Sequence, residues 1–238
     1  MNSCVSEFEN KSLGEIVSKK PWAALVFEEF KLDYCCGGKQ SLLEACQKAE
    51  LDTHLVTEKI QEQEGQANNW DCPKESLTEL CDHIEEAHHR HLENLLPELE
   101  HLIQKVAHAH GDNHPFLHEL LFVFQGLHVE LMQHMGKEEQ ILFPFCKIIE
   151  TSTEAQSFHC GSVANPIRVM CMDHDNAGEV LREIRQLTSN YEIPDDVCTT
   201  YRIMMEELQA FELDMKQHIH KENNVLYPMA LKAEASLH

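Results

Sequence analysis

The sequence predicts an all-α protein, a four-helix bundle preceded by a small helical domain. Three observations carry that prediction. Aromatic residues make up only 7% of the chain, and alternating Val/Ile/Thr runs of strand type are absent. Over four long stretches the apolar residues recur every three or four positions, the period of a helix with one buried face. Between those stretches lie short segments rich in helix-breaking and turn-forming residues. A chain of 238 residues has room for one domain of about 150 residues and a smaller one.

Residues 1–64 read as the small N-terminal domain, built of short amphipathic segments. Pro21 suits the first turn of one, where the N–H it lacks would be unpaired anyway. Asp52 can cap another, whose Glu58 and Glu62 face solvent. Between segments lies Asp33-Tyr34-Cys35-Cys36-Gly37-Gly38-Lys39, where the double glycine forces a turn. Residues 65–75 are polar and weakly patterned, and read as a linker to a bundle over 76–234. The first bundle stripe is Leu77, Cys81, Ile84, His88, His91, Leu95, Leu99, Leu102 and Val106. The second is Leu117, Leu120, Phe124, Leu127, Leu131, His134, Glu138, Ile141 and Phe145. The third is Ile167, Met170, His174, Ala177, Leu181 and Ile184. The fourth is Val197, Tyr201, Met204, Leu208, Phe211, Met215, His218, Glu222, Val225 and Met229. Breaks fall at Gly111–Pro115, Thr151–Pro166 and Asn190–Pro194, so the four helices fold antiparallel on one seam.

Composition narrows the function. With 19 Lys+Arg against 41 Asp+Glu the net charge is −22, which argues against nucleic acid and against anionic membrane surfaces. No run of 18 apolar residues is present to span a membrane. Met1–Asn10 is polar and acidic, unlike a signal peptide, so the expected location is the cytoplasm. The ten cysteines, with no CxxC pair among them, then read as mostly free thiols.

The stripes are interrupted by polar residues where the seam calls for leucine: His88 or His91, His134, Glu138, His174, His218 and Glu222. A buried polar group without a partner costs roughly 1–3 kcal/mol, and a buried charge several times that. Such a set must satisfy itself or bind something. His134/Glu138 and His218/Glu222 are i, i+4 pairs, each on one helix face. They sit in a repeat, since His134-Met-Gly-Lys-Glu138-Glu-Gln-Ile-Leu-Phe-Pro144 matches His218-Ile-His-Lys-Glu222-Asn-Asn-Val-Leu-Tyr-Pro228 position for position. His88 and His174 repeat at nearly the same offset. A duplicated helical hairpin would bring four imidazoles and two carboxylates together, a donor set for iron, manganese or zinc, with the two carboxylates bridging two ions. Iron suits it best, since a structural zinc takes four closed ligands, often cysteines.

These motifs resemble the hemerythrin-like domain, and the chain over roughly 11–230 resembles the repair of iron centres family of di-iron proteins. The matches are Tyr34-Cys35-Cys36-Gly37-Gly38-Lys39, Leu127-His128-Val129-Glu130, Glu138-Glu-Gln-Ile-Leu-Phe-Pro144, His174-Asp-Asn-Ala-Gly178 and Glu222-Asn-Asn-Val-Leu. The resemblance implies two non-haem iron ions, oxo- or hydroxo-bridged and carboxylate-bridged, on His88, His134, Glu138, His174, His218 and Glu222. It selects His88 over His91, although His89 follows where that family has an Asp. It implies roles for Glu130 and Asp173 in proton handling at the approach to the irons. It also implies a functional Cys35-Cys36 pair, for redox or transient iron contact. A nearby helix start is expected to lower a thiol pKa there and leave it accessible. The implied function is repair of iron–sulfur clusters damaged by nitrosative or oxidative stress, by iron donation to the damaged cluster proteins, with homodimerisation possible. Reduction of nitric oxide to nitrous oxide and dioxygen binding or sensing are the alternatives.

Overall fold

The computed structural model describes residues 8–64, 76–156 and 158–237, so the expected linker over 65–75 lies outside the described residues. Four short helices come first: α1 (Leu13–Lys19), α2 (Ala23–Glu29), α3 (Leu42–Lys48) and α4 (Thr53–Glu62). Their starts are written in the sequence. Ser12, Ser41 and Asp52 each accept a backbone N–H of the first turn, and Ser41 forms a reciprocal capping box with Glu44. Phe8, Leu13, Ile16, Phe27, Leu42, Val56 and Ile60 are buried between the four.

The bundle helices follow: α5 (Leu77–Ile84) with α6 (Arg90–His110), α7 (Phe116–Lys137) with α8 (Phe143–Thr151), α9 (Ala164–Leu187), and α10 (Thr199–Lys221) with α11 (Tyr227–Ala235). All-α is therefore the observed class, and no strand occurs among the described residues. Three helices are each interrupted by one π-turn, at Glu85–His89, Glu138–Leu142 and Glu222–Leu226. In each the N–H that follows the turn reaches the carbonyl of its first residue: Arg90 to Glu85, Phe143 to Glu138, Tyr227 to Glu222. Pro144 and Pro228 stand in the first turn of α8 and α11, where a missing N–H is harmless.

A π-turn inserts one residue and advances the buried face by one position. That changes two of the expected stripes. Ile141 is 44% exposed, and Leu142 and Phe143 take its place in the core. On the first stripe both His88 and His89 are buried, and His91 is exposed.

The N-terminal domain docks on its own bundle, over the third π-turn. The Asn224 amide donates to the carbonyls of Tyr34 (3.2 Å) and Cys35 (3.1 Å), and Lys216 donates to Glu28 (2.7 Å). Gly14 and Gly38 make that approach possible, since a Cβ at either would collide with the Asn224 side chain. No helix among the described residues is long and apolar enough to cross a membrane.

Candidate metal centre

The three π-turns lie at one level of the bundle, and each carries a polar residue into its middle. The second and third begin with Glu138 and Glu222, one helical turn beyond His134 and His218. The first ends with His89, and α9 supplies His174 from its inner face. All six are 0–3% exposed.

They form two clusters that share both carboxylates: His89, Glu138, His218 and Glu222 in one, His134, Glu138, His174 and Glu222 in the other. In the first, His89 Nε2 is 3.2 Å from His218 Nε2 and 3.4 Å from Glu138 Oε2, and His218 Nε2 is 2.8 Å from Glu222 Oε1. In the second, His134 Nε2 is 3.0 Å from His174 Nε2 and 3.3 Å from Glu138 Oε2, and His174 Nε2 is 3.0 Å from Glu222 Oε2. Glu222 gives one oxygen to each cluster. Glu138 turns Oε2 to both and accepts the Tyr227 hydroxyl on Oε1 (2.8 Å).

The first-helix residue in this constellation is His89, not the expected His88. The π-turn at 85–89 accounts for the change: it adds one residue, so the face that Ile84 starts is completed by His89. His88 sits beside the centre with both nitrogens committed. Its Nδ1 donates to Asp214 Oδ1 (3.1 Å), and its Nε2 accepts from the buried Lys221 ammonium (2.9 Å).

Outer partners fix the tautomers. His89 Nδ1 faces Glu139 Oε1 (2.9 Å), His134 Nδ1 faces Asp173 Oδ2 (3.3 Å), and His174 Nδ1 faces Asn223 Oδ1 (3.0 Å). With protons on Nδ1, the Nε2 lone pairs point into the clusters. Glu138 Oε2 and Glu222 Oε2 are buried there without a hydrogen bond. The 3.0 Å approach of Glu222 Oε2 to His174 Nε2 brings two electron-rich atoms together, which a cation between them would relieve. The donor set therefore fits a pair of first-row cations held by imidazole and shared carboxylate.

The ion-free site answers the same need with protons. Burial opposes a charge on His89 and His134, but the Glu138 and Glu222 carboxylates outweigh it and hold both imidazoles up at about 10. Burial pulls His218 down to about 4. Burial also pushes Glu138 and Glu222 up, yet the surrounding imidazoles keep both below the ordinary carboxylate range. A metal would have to displace the protons on His89 and His134, so loading is expected to tighten about tenfold per pH unit for each proton released as pH rises toward about 10. The stability these raised imidazoles give the ion-free protein is complete below about pH 6.5 and lost as pH rises through about 10. Thermal unfolding of the chelated protein should therefore fall in temperature from pH 7 to pH 9.

A cavity of about 150 Å3 opens onto the second cluster between α7 and α9, lined among others by Glu130, Lys137, Asp173 and His174. Glu130 is exposed at this cavity. Asp173 bonds His134 and Lys137, and its carboxyl is pulled to about 2, chiefly by the His134 hydrogen bond. A carboxylate so acidic suits orienting His134 better than delivering protons.

Cys35 and Cys36 line a second cavity, of about 240 Å3, between the domains. Their sulfurs are 4.0 Å apart, Cys35 Sγ is 3.2 Å from Asp33 Oδ1, and Cys36 Sγ is 3.4 Å from the His174 carbonyl. The expected accessible, acidified thiol is not found at Cys35. It is 6% exposed, and its pKa is raised, first by the hydrogen bond with Cys36 and then by burial. The next helix starts only at Leu42, so its dipole does not reach, while Asp33 adds negative charge.

Fold and site together define a helical-bundle cation-binding protein. Residues 80–230 match the family described as the Hemerythrin HHE cation binding domain, and residues 9–64 match ScdA_N, a Domain of Unknown function (DUF542). The chain is 37% identical over 227 residues to the iron-sulfur cluster repair protein YtfE of Enterobacter sp. (strain 638), across 95% of this chain and 99% of that one. It is 38% identical over 232 residues to the protein of that name from Musicola paradisiaca (strain Ech703), across 96% and 99%. The chain belongs to this family of hemerythrin-like proteins with an N-terminal ScdA_N domain.

Proposed function

We propose that this is a non-haem di-iron protein that repairs iron–sulfur clusters damaged by nitrosative or oxidative stress, and that it does so by giving up iron. The observation that supports this most is the sharing of both carboxylates between two ion positions. Six side chains would then hold two ions, each by two imidazoles and two shared carboxylates, a protein cage left open enough for an ion to be exchanged. The relatives, matched over nearly their whole length, carry the name of that activity. When bound, iron supplies redox and ligand-exchange chemistry; the chain's own residues hold it, shield it and orient its ligands. Clients are proteins with damaged clusters, met in the reducing cytoplasm.

A second reading, reduction of nitric oxide to nitrous oxide, draws on the cavity beside His134 and His174, which is large enough for small molecules and carries Glu130 and Lys137. Both readings start from one measurement, metal content after purification without oxygen. About two irons per chain is the expected result, and their transfer to a damaged cluster protein with return of its activity supports repair. Zinc alone, or no metal after ferrous reconstitution, would sink the di-iron reading. Stoichiometric nitrous oxide with no cluster restored would favour the second.

A further inference from the structure

The duplicated hairpins make the centre nearly two-fold symmetric, and the symmetry is broken in the groups behind the imidazoles. Glu139 and Asn223 are equivalent, each directly following a shared glutamate, and they back His89 and His174. Asp173, just before His174, backs His134. Its equivalent, just before His89, is His88, which does not back His218. The two rings lie parallel, 5.0 Å apart and 2° from coplanar orientation. Face-to-face stacking keeps the in-plane N–H of either ring from reaching the other.

His218 Nδ1 is consequently buried without a hydrogen bond. One helical turn before it, Asp214 Oδ2 is also buried without one, while Oδ1 accepts from His88. The ion-free geometry explains both orphans together. His218 Nε2 faces Glu222 Oε1 at 2.8 Å and carries the proton there, so Nδ1 presents a lone pair to a carboxylate that has none to give. A cation on Nε2 requires the proton on Nδ1, and Asp214 Oδ2, one helical turn away and without a hydrogen bond of its own, is an acceptor that a turn of the carboxylate would bring to it.

We propose that Asp214 is the positioning residue for His218, that its bond to His88 holds it out of reach of His218, and that the ion at His89 and His218 therefore leaves before the ion at His134 and His174. This rests on the di-iron reading above. The other three imidazoles each bond an acceptor that serves no second ring, whereas Asp214 bonds His88, itself tied to the Lys221 ammonium, and leaves His218 without one. Removing such an outer partner weakens metal binding by roughly 10–100-fold.

The test is ferrous release from the loaded full-length chain to an excess of chelator, without oxygen. Wild type is expected to release its ions in two phases of one ion each. Asp214→Ala should accelerate the fast phase roughly 10–100-fold and leave the slow phase unchanged. Asp214→Asn should fall between, because an amide oxygen can accept as Asn223 does. His88→Phe keeps a ring stacked on His218, frees Asp214, and should slow the fast phase. Anomalous scattering from half-released crystals should place the remaining ion at His134 and His174.

Single-phase release in wild type, an ion remaining at His89 and His218, or equal acceleration of both phases by Asp214→Ala would each overturn the proposal. If Asp214→Ala does not fold, an unchanged fast phase in His88→Phe decides against it. If release follows the expected order but neither ion restores a cluster, the donation reading fails and the role of Asp214 stands.

Discussion

Glu138→Leu is expected to take the chain from about two bound ions to none while its helices remain. Glu138 Oε2 faces His89 at 3.4 Å and His134 at 3.3 Å, so one substitution removes a donor from both clusters. The ion-free fold should survive. Removing one partner of a buried ion pair costs about 3–5 kcal/mol when it strands a charge, and much less when the remaining group can shed its charge. The Tyr227 hydroxyl also loses its acceptor, at roughly 1–3 kcal/mol. His89 and His134 lose the carboxylate that holds them protonated, and burial then favours their neutral forms. The variant therefore strands one hydroxyl but no charge. Metal analysis beside circular dichroism and thermal unfolding reads the outcome. Retention of one ion would show that the clusters do not share Glu138, and loss of helix would show that the carboxylate is structural. Glu222→Leu should behave alike, since its two oxygens serve His218 and His174.

That Glu138 and Glu222 would meet in one buried cluster was legible in the sequence, because an i, i+4 His/Glu pair recurs within a longer matching repeat. His174 followed from its stripe. His89 did not, and the cause is a phase slip. Read forward from Leu77, Cys81 and Ile84, the seam arrives at His88. Read backward from Leu99, Leu96 and Leu92, it arrives at His89. The two readings differ by the one residue that the π-turn absorbs, and a fixed helical period cannot represent it. The repeat held a second clue, since the offset from His89 to His174 lies closer than that from His88 to the offset shared by the other pairs. The same slip put Ile141 in the expected core. The groups behind the imidazoles were less legible. Glu139 and Asn223 read as ordinary polar residues next to the bridging glutamates, and Asp214 lies on no stripe. Their roles depend on how helices far apart in sequence meet.

The thiol pair was legible as a motif but not in its chemistry, and that difference shapes the second large effect. Cys35→Ala/Cys36→Ala is expected to keep both ions and lose most cluster repair. Cys36 meets the centre through the His174 backbone carbonyl, which the substitution leaves in place, so no side chain of either cluster loses a contact. Truncating Cys35, 6% exposed, to alanine costs on the order of 1 kcal/mol, too little to undock the domain held by Asn224 and Lys216. What the variant loses is the two soft donors of a mixed thiol and carboxylate set. Asp33, Cys35 and Cys36 present three ligand atoms within 4.8 Å of one another, beside the inter-domain cavity. At rest the raised pKa of Cys35 keeps its thiol protonated and unreactive. A ferrous ion passing from the centre as cargo would change that, because a coordinating cation deprotonates a thiol outright. A thiol silent until iron arrives suits handover better than standing redox catalysis, for which an exposed, acidified thiol would serve. Iron content per chain and restored client activity, measured on the same preparation, separate the two roles of storing and delivering. Full repair by the double variant would remove the thiols from delivery, and loss of iron from it would make them part of the store.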